Sequence, residues 1–208
     1  VLYRQQCCNG RVTGPLVFTP GAAARAFDAV AAVWFVFEAV MGLLQRWRAR
    51  SGVRNDPTFW VLYVCIAGSV LLSQALGRSD ALPWPGGRLW PVVAGLVLIV
   101  AGVALRAWSI ITLGRFFQYQ IRIQAGHTVV TNGPYRFVRH PSYTGVVLAI
   151  AGYALATGDV YSLVAALALS AAGLAVRIRA EERQLCEALG DDYAEFAAHR
   201  KRLIPGVL

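Results

Sequence analysis

The stretch RHPSYTGVVLAIAGYALATGDVYSLVAALALSAAGLAVRIRAEE, residues 139–182, decides the fold. It holds two apolar runs, Pro141–Thr157 and a second beginning near Val160, with only Gly158-Asp159 between them. A gap that short predicts a tight antiparallel helical hairpin. Each run is short for a bilayer crossing, which takes about 20 apolar residues, but each can extend past the bilayer at its other end. The hairpin returns Glu181-Glu182 to the side of Arg139-His140. Pro141 suits the first turn of a helix, whose unpaired N–H groups and positive dipole end favour an anion, and Arg139 and His140 strengthen that preference. Basic groups for a carboxylate beside carboxylates for an ammonium suit a zwitterionic amino acid, or a ligand carrying one.

Working outward, three more apolar runs precede the hairpin. They are about 25–46, which carries Asp28 and Glu38, the uncharged Pro57–Gly77, and about 89–113, interrupted by Arg106. Together these predict an all-α integral membrane protein with five transmembrane helices. The composition agrees: of 208 residues 57% are hydrophobic and 15% charged, with a mean hydropathy of +0.51. That excludes intrinsic disorder and argues against an ordinary soluble domain, in which about a quarter of residues are charged. The net charge of +9 comes from 19 arginines and one lysine against 11 acids. These basic residues lie between apolar runs, which predicts a membrane protein and no nucleic-acid partner. Residues 1–20 show no signal peptide, and Cys7, Cys8, Cys65 and Cys186 are expected to form neither a disulfide framework nor a metal site.

Basic residues also set the orientation. Arg46, Arg48, Arg50 and Arg54 crowd the first loop; Arg115, Arg122, Arg136 and Arg139 fill the third, about 114–140, which has no acid. Both loops and the charged tail are therefore expected in the cytoplasm, with the N-terminus outside. The third loop is long for a helix connection and dense in Gly, His, Pro, Tyr and Arg, so an ordered polar structure is expected there.

The motif R-H-P-x-Y-x-G (139–145), followed by an apolar stretch and E-E (181–182), resembles the signature of the isoprenylcysteine carboxyl methyltransferases and the related phospholipid N-methyltransferases. Further landmarks match in order: Leu113-Gly114-Arg115-Phe116-Phe117, His127-Thr128-Val129-Val130, Gly133-Pro134-Tyr135-Arg136, and Tyr193, Phe196 and Arg200 in the tail. The resemblance covers about residues 105–207. It implies S-adenosylmethionine as methyl donor, with S-adenosylhomocysteine as product. It also implies a cytoplasm-facing pocket formed by the loop before helix four and the C-terminal tail. His127, Val129, Val130, Tyr135, Arg139, His140, Tyr143, Glu181 and Glu182 are the expected cofactor-binding residues, Arg106 and Arg200 the expected catalytic ones. Residues 1–208 then form one membrane domain: an extension (1–24), helices one to three (25–113) and a catalytic half (114–208).

Within that scheme Arg139 or His140 would hold the methionyl carboxylate, and Glu181 or Glu182 the ammonium or the ribose hydroxyls. The backbone at Val129-Val130 would bond the adenine, with Tyr135 and Tyr143 lining the site. Each has a plainer reading. The glutamates fit a surface ladder with Arg177 and Arg179 at helical spacing, His127 and His140 local packing, and the tyrosines an interfacial belt. An ionisable Arg106 inside a span is a functional candidate, or it snorkels or pairs with Glu38. The expected acceptor is a lipophilic molecule or lipid, most simply a prenylcysteine-like acid, since a carboxylate needs no general base. Arg-rich, Lys-poor composition points to a bacterial inner membrane. The other readings are phospholipid N-methylation, an NADPH-dependent sterol-type reductase, and a transporter, whose midplane polar residues are missing here.

Overall fold

The computed structural model describes residues 15–48, 56–117 and 128–205. These residues are helical: α1 (Ala22–Arg48), α2 (Pro57–Ser79), α3 (Leu89–Leu113), α4 (Pro141–Ala156), α5 (Val160–Leu189) and α6 (Asp191–Ala198), with short 3-10 turns at Leu16–Phe18, Gly114–Phe116 and Gly133–Arg136. Four helices, α1, α2, α3 and α5, are long and apolar enough to cross a membrane; α4 is apolar but has 16 residues. Around the bundle Val64, Leu71, Val97, Ile111 and Val164 point outward and are exposed. A coat of that kind is unfavourable in water and natural in lipid, where each helix satisfies its own backbone. The protein is an integral membrane protein.

The caps explain where the helices begin. Pro57 opens α2, and the Asp56 side chain accepts a 2.9 Å bond from the Thr58 amide. Asp159, fully buried, opens α5 by accepting from Ser162 N at 3.2 Å. Its second oxygen accepts from Leu82 N at 2.7 Å, so the same carboxylate pins the α2–α3 connection to the α4–α5 turn. That turn is Thr157-Gly158-Asp159; Gly158 has φ +87°, and a Cβ there would meet Pro15 at 2.9 Å.

Two seams hold the bundle together. Along α3 and α4, glycines seven residues apart face each other: a Cβ on Gly95 would lie 2.4 Å from the Gly152 carbonyl, and one on Gly102 2.5 Å from that of Gly145. Small residues of this kind let membrane helices approach closely. Between α2 and α5 the seam is polar as well as small. The Ser69 hydroxyl donates to the Cys65 and Ala166 carbonyls, that of Ser162 to the Ser73 carbonyl at 3.2 Å. Helix α1 attaches by one stripe, Phe27, Ala31, Trp34 and Glu38, while Val33, Val36 and Val40 are exposed. Phe27 and Trp34 pack on Tyr153 of α4 at 5.0 and 6.2 Å between ring centroids.

Candidate functional site

Polar chemistry gathers where α4 begins. Pro141 starts the helix, and the chain before it, Val138–His140, is held by the C-terminal tail. The Arg139 amide donates to the Lys201 carbonyl and the His140 amide to that of Arg202, both at 2.9 Å. Thr144 Oγ donates to the Leu203 carbonyl at 2.8 Å. Tyr193 and Phe196, on the buried face of α6, turn the tail back toward α4.

Glu182 sits at the centre of this junction. Its Oε1 lies 2.7 Å from Arg139 Nη1 and 3.2 Å from His140 Nε2. Its Oε2 accepts from Arg202 Nε and Nη2 at 3.0 and 2.8 Å. The expected meeting of Glu182 with Arg139 and His140 is therefore present, and none of these contacts belongs to a surface ladder along α5. Three basic side chains surround one carboxylate, so positive charge remains in excess, and the Arg139 Nε is buried with no hydrogen-bond partner among the described residues. The Glu182 bond holds the Arg202 guanidinium above its ordinary pKa.

Glu181 belongs to a second chain of contacts. Tyr143 donates its hydroxyl proton to Glu181 Oε2 at 2.6 Å and accepts from Arg177 Nε at 3.2 Å. The Arg177 Nη1 reaches the Asp56 carboxylate and Thr58 Oγ, the latter at 3.0 Å. Arg177 is 1% exposed, so this charge is buried and compensated, as an interior guanidinium must be. Asp56 is a functional-site neighbour that sequence reasoning missed, and Arg177 reads in the sequence only as a ladder partner of the glutamates; the pairing of α2 with α5 brings the two together. Tyr135, buried in the 3-10 turn, lies within range of Glu181 and of Arg106: burial, then the Glu181 charge, raises its hydroxyl pKa, and Arg106 opposes the shift.

Arg106 is the third centre. At 5% exposed on α3, it sets Nε 2.5 Å from Glu38 Oε1 and donates from Nη2 to Oε2 at 2.8 Å. Its Nη1 donates to Ser142 Oγ, the second residue of α4 and the fourth of the motif, at 2.9 Å. The pairing with Glu38 is one of the alternatives the sequence offers.

An open cleft of about 350 Å³ lies beside these groups in sequence, between the end of α3 and residues 129–132. Val129 and Val130 line it, with Thr112, Arg115 and Asn132. Residues 128–130 are outside any helix, and neither valine makes a backbone bond to another described residue. Arg200 lies in the tail: its guanidinium stacks on Phe196 at 4.6 Å, and its buried Nε has no hydrogen-bond partner among the described residues. His127 lies outside the described residues. No cluster of His, Cys, Asp and Glu suited to a metal occurs among the described residues.

Comparison with known proteins agrees with this architecture. The family model described as isoprenylcysteine carboxyl methyltransferase (ICMT) family matches residues 94–187. Protein-S-isoprenylcysteine O-methyltransferase A of Arabidopsis thaliana is 34% identical over 133 residues, covering 62% of this chain and 68% of that protein. The uncharacterized protein YpbQ of Bacillus subtilis is 33% identical over 136 residues, 65% of this chain and 77% of its own. A solved structure of the eukaryotic intramembrane Ras methyltransferase ICMT superposes with a TM-score of 0.63, covering 92% of this chain and 70% of that one at 20% identity. With a plant enzyme matched over two thirds of its length, and the match centred on α3, α4 and α5, the chain belongs to the isoprenylcysteine carboxyl methyltransferase family.

Proposed function

We propose that the protein transfers a methyl group from S-adenosylmethionine to the carboxylate of a lipophilic, prenylcysteine-like acid at the cytoplasmic face of the membrane. The observation that carries this is Arg106, a buried guanidinium that grips a carboxylate through two nitrogens, beside the α4 motif. A carboxylate acceptor is already ionised at pH 7, so the chain has to orient it with a cation and exclude water rather than remove a proton.

The residues fit the donor. When bound, S-adenosylmethionine supplies an electrophilic methyl carbon on a sulfonium. The unpaired Arg139 Nε and the surplus positive charge around Glu182 suit the methionyl carboxylate. Glu181, tied to Tyr143, is read as the ligand-facing glutamate, for the ammonium or the ribose hydroxyls, because Glu182 is engaged on both oxygens. The backbone edge at Val129-Val130, unbonded among the described residues, suits the adenine, and the adjoining cleft is of ligand size. The residues beginning at Gly114 are the cofactor-binding half; Arg200, stacked on Phe196 with its buried Nε unpartnered among the described residues, keeps the catalytic role that the resemblance implies.

We read α4 as the fifth span. Its 16 residues rise about 24 Å, short of a core of about 30 Å. The Leu16–Phe18 turn and the Leu82–Trp84 segment, packed on Gly158 and Asp159, cover its outer end. Five spans with the Arg-rich loops inside leave the N-terminus outside and the site facing the cytoplasm, and the arginine-dominated composition suits a bacterial inner membrane.

The test is transfer of labelled methyl from S-adenosylmethionine to N-acetyl-S-farnesylcysteine by detergent-purified protein, read as base-labile ester. Calorimetric titration with S-adenosylhomocysteine and NADPH runs in parallel. Ester formation with binding of the first nucleotide alone is expected; binding of NADPH alone overturns the reading.

A further inference from the structure

We infer that Glu38 is an internal stand-in for the acceptor carboxylate, and that it sets acceptor affinity and product release by competing for Arg106. The inference rests on the carboxyl-methylation reading.

A guanidinium offers a carboxylate two bidentate edges, side-on at Nε and Nη2 and end-on at Nη1 and Nη2. In Arg106 the side-on fork is taken by Glu38, and Ser142 holds Nη1 of the end-on edge. An acceptor carboxylate can use the fork only by replacing Glu38, an exchange of like for like in shape and charge. The two partners differ in their ability to leave. Arg106 is fixed on α3, its side chain 6% exposed, whereas the Glu38 side chain is 27% exposed. Glu38 also stands on α1, the helix attached by one stripe, and its neighbour one turn away, Trp34, carries a buried indole N–H without a partner among the described residues. The α1 side of the fork thus contains both the movable carboxylate and an uncommitted donor.

Chemistry gives the exchange a direction. In the transfer an acceptor oxygen bonds to the methyl carbon, the carbon–sulfur bond breaks with its pair kept on sulfur, and no proton moves. The acceptor enters as an anion and leaves as a neutral ester. An ester cannot match a carboxylate for the fork, because charge-assisted bonds are about twice as strong as neutral ones. Glu38 therefore regains Arg106 once the ester has formed, and its return expels the product. Glu38 acts through Arg106 as a positioning residue; the reacting atoms never touch it.

The experiment compares the wild type, Glu38→Gln and Glu38→Asp by steady-state methylation of N-acetyl-S-farnesylcysteine. S-adenosylhomocysteine affinity and competition by the farnesylcysteine carboxamide are measured alongside. Glu38→Gln keeps an acceptor on Arg106 but removes the competing charge. Its acceptor KM is expected to fall about fivefold, the size of a partly exposed ion pair, with kcat falling as the ester lingers. Carboxamide affinity rises as KM falls, because the neutral analogue, like the ester, no longer loses the fork to a charge, while S-adenosylhomocysteine affinity stays level. Glu38→Asp, too short to hold both nitrogens, moves KM the same way by less, and keeps the experiment decisive if the glutamine variant is unstable. An unchanged or raised KM in a variant that still binds S-adenosylhomocysteine overturns the inference while leaving carboxyl methylation intact. Failure of the wild type to esterify the acceptor, while it binds S-adenosylhomocysteine, overturns both.

Discussion

The two adjacent glutamates are expected to fail in opposite ways when each is changed to glutamine. Glu182 is 11% exposed in its side chain and faces Arg139, at 14%, across 2.7 Å. A charge-assisted bond of that kind is worth about 1.5–3 kcal/mol, and the half-exposed Arg202 adds about 0–1 kcal/mol. Glutamine keeps neutral hydrogen bonds worth about 1 kcal/mol, so Glu182→Gln should cost about 2 kcal/mol. For a chain of this length each kcal/mol lowers Tm by about 2–4 °C, which puts the loss at about 4–8 °C. The tail loses its side-chain anchor at the same time, so residues 199–205 should become open to protease. Among the described residues Glu181 has one hydrogen bond, from Tyr143, and glutamine can accept it too. Glu181→Gln should move Tm by no more than about 2 °C, yet weaken S-adenosylhomocysteine about tenfold, or about 1.4 kcal/mol. The assays are thermal unfolding in detergent, limited proteolysis and calorimetric binding. A Glu182→Gln protein as stable as the wild type, or a Glu181→Gln protein that binds S-adenosylhomocysteine normally, refutes the division of labour.

Three further outcomes are expected. Gly102→Ala places a Cβ 2.5 Å from the Gly145 carbonyl, overpacking that costs about 1–3 kcal/mol and lowers Tm, whereas Gly42→Ala, with nothing within 4 Å, leaves Tm unchanged. Burial raises the pKa of Asp56, but the Thr58 hydrogen bonds and the Arg177 charge outweigh it and hold the carboxyl below its ordinary range. Its stabilisation is complete above the unfolded value of about 3.9 and is lost as pH falls through the lowered folded value. The Tm gap between wild type and Asp56→Asn should thus stay level from about pH 8 to about pH 5 and close only in stronger acid. Val130→Trp, filling the 350 Å³ cleft, should abolish S-adenosylhomocysteine binding with little change in Tm.

Helix boundaries were legible because lipid imposes long charge-free runs. Expected starts at Pro57, 89, Pro141 and Val160 coincide with the starts of α2, α3, α4 and α5. The meeting of Arg139-His140 with Glu182 was legible as well, since so short a turn leaves a hairpin little choice of register. The role of each glutamate was not. Neighbours in sequence point about 100° apart on a helix, so Glu182 meets the tail while Glu181 meets Tyr143. The Asp56–Arg177 contact, 121 positions apart, carries no local pattern. Arg200 matched a family landmark, yet its contact with Phe196 depends on how α6 turns the tail.

The glycine-to-carbonyl contacts between α3 and α4 have a mechanical consequence. With no side chains between the two backbones at Gly95, Gly102, Gly145 and Gly152, there is no layer of rotamers to rearrange, and the pair behaves as one stiff plate. Arg106 and Ser142 are both rooted in that plate. Any widening that admits a bulky hydrocarbon tail from the bilayer must happen elsewhere, and α1, fastened by one narrow stripe, is the wall with the least to break.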